Sequence, residues 1–214
     1  WANLPLALVG QVARADGKIV DVAIGDKPTD PVFVLPDLAP HVDKELRTRT
    51  QDLIFKGDEL GPLAASMPGS VGGSTKQAFL DELKSRYGLI EEDFVSAELA
   101  FVPAGPPREV GVDRALIGSY GQDDGLCSFV GTSAITELPG NPEHTTLVYL
   151  VDHEEVGNIN NSGVRSRFLE GNLGRMLTRE AKGKQTAPDA LATLLDHTEA
   201  LSADVSQGLN PLFP

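Results

Sequence analysis

Cysteine is almost missing from this chain of 214 residues. Cys127 is the single thiol, which excludes an intrachain disulfide framework and a cysteine-rich zinc site and fits a reducing, cytoplasmic compartment. Basic residues are also scarce. Lys plus Arg number 18 against 31 Asp plus Glu, a formal net charge of −13, and no basic stripe is present, so no nucleic-acid partner is expected. Long apolar runs are lacking: the longest are under ten residues, short of the roughly 20 that cross a bilayer, so no membrane partner is expected either. No Gly-x-Ser-x-Gly elbow occurs, and no Gly-x-x-x-x-Gly-Lys phosphate loop, which leaves serine nucleophiles and P-loop chemistry without support. A secretory leader is not visible. The sequence opens at Trp1 without Met, directly into Leu4, Leu6, Leu8 and Val9, and reads as the middle of a longer protein.

What remains, 41% hydrophobic and 23% charged residues, is ordinary for a globular domain. Residues 5–13 and 18–24 are β-rich runs joined by Arg14-Ala15-Asp16-Gly17, and Asp-Gly is a strong hairpin signal. Val32–Leu35 reads as a short strand, Lys44–Leu53 as a helix, and the Gly/Ser/Pro-rich stretch 57–75 as a mobile loop. Ser74 opens a helix, with Gln77 in capping-box position, Phe79, Leu80, Leu83 and Tyr87 on one face, and Gly88 as the stop. Beyond residue 95, Ser96–Val102 is a strand, 124–137 a helix, and Thr145–Val151 a central parallel strand buried on both faces. Further helices follow from Asn161 and Thr186, and a last strand over Glu199–Ala203 delivers Asp204. The expectation is an α/β fold in two parts, a β-rich module over 1–95 and an α/β module over 96–214.

The densest chemistry is Asp152-His153-Glu154-Glu155-Val156-Gly157, directly after the expected buried strand, where open α/β sheets place ligands. Such crowded carboxylates repel unless a cation or water relieves them. One can bind a metal while its neighbour holds a water as general base. A solvated acidic turn is the competing reading. Gly121-Gln122-Asp123-Asp124-Gly125 lies before a helix, where an Asp is commonly just an N-cap, and Asp204 alone reads as a turn residue. Three carboxylate sites at element ends of one module favour a divalent cation. His41 lies outside that module, and on its own reads as a surface or packing residue. Cys127 reads as a buried thiol.

Taken in order, Tyr120-Gly121-Gln122-Asp123-Asp124, Asp152-His153-Glu154-Glu155-Val156-Gly157 and Ser202-Ala203-Asp204 resemble the M18 metalloaminopeptidases, the aspartyl aminopeptidase and aminopeptidase I group. Asp30-Pro31-Val32-Phe33 and Glu92–Leu99 are similar to the bacterial branch. The resemblance implies a zinc-exopeptidase-type α/β catalytic domain, here in part, with a β-rich insertion domain over residues 1–95. It implies a metalloaminopeptidase that removes N-terminal residues from peptides with two divalent ions, zinc foremost. Asp123 would bridge the ions, Glu155 and Asp204 would each bind one, and Glu154 would be the general base acting on water. His41 would reach a neighbouring subunit's active site from the insertion domain, through which dimers build a larger, dodecameric particle. The family's two further histidine ligands match no part of this sequence, so residues 1–214 alone are expected to be inactive. A non-catalytic assembly module is the alternative.

Overall fold

A computed structural model of the protein describes residues 3–39, 41, 42, 45, 48–50, 53–67 and 73–212. The chain divides into two compact units, Trp1–Tyr120 and Gly121–Pro214.

In the first unit, β1 (Leu6–Ala13) and β2 (Ile19–Ile24) form an antiparallel hairpin with Leu8 opposite Ile24 and Val12 opposite Val20. The turn between them is the expected one. Gly17 takes φ +82°, and its N–H donates to the Arg14 carbonyl at 2.9 Å. A third strand, β3 (Ala97–Pro103), pairs antiparallel along the other edge of β1, giving the order β2-β1-β3. Gly10 is required where β1 meets β3. Its φ is +145°, and a Cβ there would lie 2.0 Å from the Glu98 carbonyl oxygen. Val32–Leu35 contributes only an isolated bridge, Phe33 to Leu6.

Helix α1 (Thr75–Tyr87) begins where Ser74 Oγ accepts the Gln77 N–H and ends at Gly88 in the left-handed conformation, as the sequence predicts. The reciprocal half of the capping box is replaced, because the Gln77 side chain donates to Asp81 instead. Leu83 on α1 is fully buried and packs with Leu8, Val12, Val22, Ile24, Phe33 and Leu89 as the core. Tyr87 ties the helix to the sheet, its hydroxyl donating to the Ala23 carbonyl and accepting the Ala23 N–H. Two short strands, β4 (Arg108–Val110) and β5 (Leu116–Gly118), form a separate hairpin. The 57–75 stretch holds one 3₁₀ turn at Gly57–Glu59, and residues 68–72 lie outside the described residues. Of the helix expected over Lys44–Leu53, half the residues lie outside those described; among the rest Thr48 and Leu53 are in 3₁₀ conformation and none is in an α-helix.

In the second unit, α2 (Gln122–Thr136), α3 (Phe168–Glu180) and α4 (Ala190–Asp196) follow one another. α3 starts later than Asn161 because 160–163 folds as a turn. Asn160 Oδ1 accepts from the Ser162 N–H, the Ser162 hydroxyl and the Gly163 N–H, which holds the backbone out of the helix. Tyr149 stacks on Phe168 at 6.3 Å. Two expected strands do not form among the described residues. Thr145–Val151 and Glu199–Ala203 enter no ladder, and every strand pair present is antiparallel. A doubly buried strand needs a neighbour on each edge, and among the described residues the second unit forms no strand to supply one; Leu147 and Leu150 remain 55% exposed. The fold is thus one of mixed helix and strand.

Candidate metal centre

The second unit brings three carboxylates together. Asp123, Asp124 and Asp204 each present an oxygen, and these oxygens all lie within 4.8 Å of one another. Gly121, at φ +77°, turns the chain into α2, and Asp123 and Asp124 keep non-helical backbone angles before the helix proper, joined by a cis peptide bond. The N-cap position itself is Gly121, which has no side chain to cap with. Asp204 arrives from the irregular segment after α4, its carboxylate accepting the Val205 N–H at 2.7 Å.

Asp123 and Asp204 are exposed, while Asp124 is half-buried and its Oδ1 is buried with no hydrogen-bond partner. An oxygen withdrawn from water and left unpaired costs free energy. A hard divalent cation would satisfy it and relieve the repulsion between the three groups. The donor set therefore fits a cation. Cys127, one turn along α2, is hydrogen-bonded to Asp124. Its thiol is pushed up from its ordinary pKa by desolvation, by that bond and by the charges of Asp124, Asp204 and Asp123, which keeps it protonated and unsuited to nucleophilic chemistry. The i, i+3 spacing of Asp124 and Cys127 was the available signal for this contact.

The acidic turn is a separate construction. The Gly157 N–H donates to the Glu154 carbonyl at 3.0 Å and the Asn158 N–H to the His153 carbonyl at 2.8 Å. Positive φ at His153, Gly157 and Asn158 makes the reversal. Asp152 is occupied locally: its carboxylate accepts the His153 N–H at 2.8 Å and lies 3.1 Å from His153 Nε2. Glu154 and Glu155 are both exposed, and neither belongs to the three-carboxylate group. The turn is anchored at its start, where the Asp152 N–H donates to the Ser162 carbonyl at 3.2 Å. His41 belongs to the first unit. It sits exposed in a turn closed by the Val42 N–H on the Ala39 carbonyl.

A cluster of oxygen donors beside a helix start could hold a cation, and the comparisons give the family of the chain. The profile described as "Aminopeptidase I zinc metalloprotease (M18)" matches residues 1–214. A Borreliella burgdorferi protein named "Probable M18 family aminopeptidase 1" is 39% identical over 216 residues, covering 100% of this chain and 47% of the relative. The crystal structure of the M18 family aminopeptidase from Thermotoga maritima superposes with a TM-score of 0.81 at 40% identity, over 100% of this chain and 46% of that one. The S. cerevisiae mApe1 dodecamer shares the fold at 20% identity, TM-score 0.62, over 100% of this chain and 47% of that one. The chain belongs to the M18 aminopeptidase family, a family of zinc metalloproteases, and spans about half the length of the curated relatives it matches. Among the described residues no helix is long and apolar enough to cross a membrane.

Proposed function

We propose that the whole protein is a zinc-dependent aminopeptidase that removes N-terminal residues from peptides. The observation that carries this reading is the convergence of Asp123, Asp124 and Asp204 with one buried, unpaired carboxylate oxygen, in a chain of the M18 family.

Asp123 and Asp204, with Glu155 on the acidic turn, would hold two divalent ions, zinc foremost, with Asp123 shared between them. When bound, the ions supply Lewis acidity toward the scissile carbonyl and lower the pKa of water. The remaining work falls to the chain. Glu154, adjacent to Glu155 and exposed, takes a proton on its carboxylate from the attacking water and returns it to the leaving amine. Asp152 fixes the start of the turn through its contacts with His153. The roles of Glu154 and Glu155 rest on the family resemblance. The same support extends to residues 1–95 as an insertion domain for dimerisation, to residues 96–214 as catalytic, and to a dodecameric particle in which His41 serves a neighbouring subunit. The single cysteine suits a cytoplasmic setting.

The test is hydrolysis of a panel of aminoacyl and N-acetylated aminoacyl substrates by the full-length protein, with and without chelator. Cleavage restricted to free amino termini and abolished by chelation supports the reading. No cleavage of any substrate by zinc-loaded protein leaves the assembly-module alternative.

A further inference from the structure

The acidic turn that carries Glu154 and Glu155 has a backbone that side chains disfavour. His153 at φ +58° and Asn158 at φ +60° both occupy the left-handed region, with Gly157 before Asn158 at +93°. Non-glycine residues persist there only where surrounding structure imposes it. Burial does not place the two glutamates, since residues 154–157 are all exposed. The segment that follows braces the turn at both ends. At its start, the Asp152 N–H donates to the Ser162 carbonyl at 3.2 Å. At its end, buried Gly163 approaches Asn158 so closely that a Cβ on Gly163 would lie 2.7 Å from the Asn158 carbonyl oxygen. One atom holds both braces. Asn160 Oδ1 accepts the Ser162 N–H at 3.1 Å, the Ser162 hydroxyl at 3.1 Å and the Gly163 N–H at 2.8 Å.

We propose that Asn160 is a positioning residue, whose side-chain carbonyl sets the acidic turn through Ser162 and Gly163 and thereby places Glu154 and Glu155. The inference rests on the reading of Glu154 as base and Glu155 as metal ligand. Each link is a contact in the structure. Asn160 holds Ser162, which holds Asp152. Asn160 also holds Gly163, which backs Asn158. The turn's own bonds, from the Gly157 N–H to the Glu154 carbonyl and from the Asn158 N–H to the His153 carbonyl, close it internally. Its orientation on the chain comes from the braces. An aspartate oxygen could accept the same three bonds, whereas alanine offers no acceptor.

The experiment compares Asn160→Ala with Asn160→Asp in the full-length protein, in the wild-type and Glu154→Gln backgrounds, with native mass confirming assembly. Zinc affinity is read against buffered zinc, and kcat at saturating zinc. Residues that orient a metal's ligands typically account for about 10- to 100-fold in affinity or activity. Asn160→Ala is therefore expected to weaken zinc binding and to lower kcat, each by roughly that factor. Asn160→Asp should stay within about threefold in both, because the acceptor is kept. In the Glu154→Gln background the kcat loss should shrink below about twofold, since the base is gone, while the zinc loss persists through Glu155. Amide exchange over 150–163 should quicken in Asn160→Ala, with α2 and α3 unchanged. Gly163→Ala, whose Cβ meets the Asn158 carbonyl, should reproduce the losses and serves where Asn160→Ala does not assemble. Wild-type kcat and zinc affinity in Asn160→Ala, equal losses in Asn160→Asp, or an undiminished kcat loss in the Glu154→Gln background overturn the positioning role. Full activity of Glu154→Gln overturns instead the reading on which the inference stands.

Discussion

The carboxylates of Asp123 and Asp204 come from segments on either side of α3 and α4, yet their oxygens lie within 4.8 Å of each other and of Asp124. Folding brings like charges together here, and a divalent cation sharing the space would relieve their repulsion. The neighbouring Cys127 thiol registers the same field, held protonated by desolvation, by Asp124 and by the surrounding charge.

Glu154 and Glu155 are adjacent, but their proposed work differs. Glu154→Gln keeps the size of the side chain and removes the base. Turnover in the full-length protein should fall by about 10²–10⁴-fold with bound zinc unchanged. A Glu154→Gln protein that has lost its zinc would show the two roles to be exchanged.

His41→Ala should lower kcat with the fold and metal content intact. Assembled from a mixture of His41→Ala and Glu154→Gln subunits, the protein should recover part of its activity, because some pairings join an intact base to an intact His41 from the neighbour. Verified mixed oligomers with no recovery would argue that His41 acts within its own subunit or not at all.

Leu83 is fully buried between α1 and the sheet. Leu83→Ala leaves a cavity against Leu8, Val12 and Ile24 and should cost about 2–5 kcal/mol of stability, read by denaturant unfolding. A change within 0.5 kcal/mol or so would mean that α1 does not pack on the sheet as described.

Hydrogen bonds from Arg49, then from the Lys56 N–H, hold the Glu59 carboxyl at about 2 against its usual 4.5. Because the folded state favours the ionised form, its contribution is complete above about pH 4.5 and is lost as the pH falls toward 2. Exchange protection across 45–59 should therefore be flat from about pH 7 to 5, after correction for intrinsic rates, and decline below 4.5. Glu59→Gln should remove that window. Loss of protection already near neutrality would contradict the ion-pair account.

Local chemistry was the legible part of the sequence. Asp16-Gly17 marked the β1–β2 turn, and Ser74 and Gly88 marked the ends of α1, because a hairpin turn and a helix cap depend on residues within a few positions. The family signature also stood in plain view. Pairing was less legible. Thr145–Val151 has the apolar character of a buried strand, but a strand exists only with partners, and apolarity names none. Phe168 opens α3 where Asn161 looked suited to, because the hydrogen bonds at Asn160 favour a turn over the first helical residues. At the candidate site, Asp123 and Asp204 were singled out and do come together. Asp124 stands in the same pair, where the N-cap reading applies to both residues and the family resemblance assigns a ligand role to Asp123 alone. The bidentate Arg49–Glu59 pair gave no signal, since a contact ten residues apart follows no helix or strand periodicity.

The central claim is that the Asp123–Asp204 pair forms part of a zinc site. Its most direct test is elemental analysis of bound zinc in the full-length protein and in its Asp123→Asn, Asp204→Asn and Glu154→Gln variants, each dialysed against the same buffered zinc. The account predicts stoichiometric zinc in the wild type and in Glu154→Gln, and marked loss in both Asp variants. Wild-type zinc content in Asp123→Asn and Asp204→Asn would contradict it.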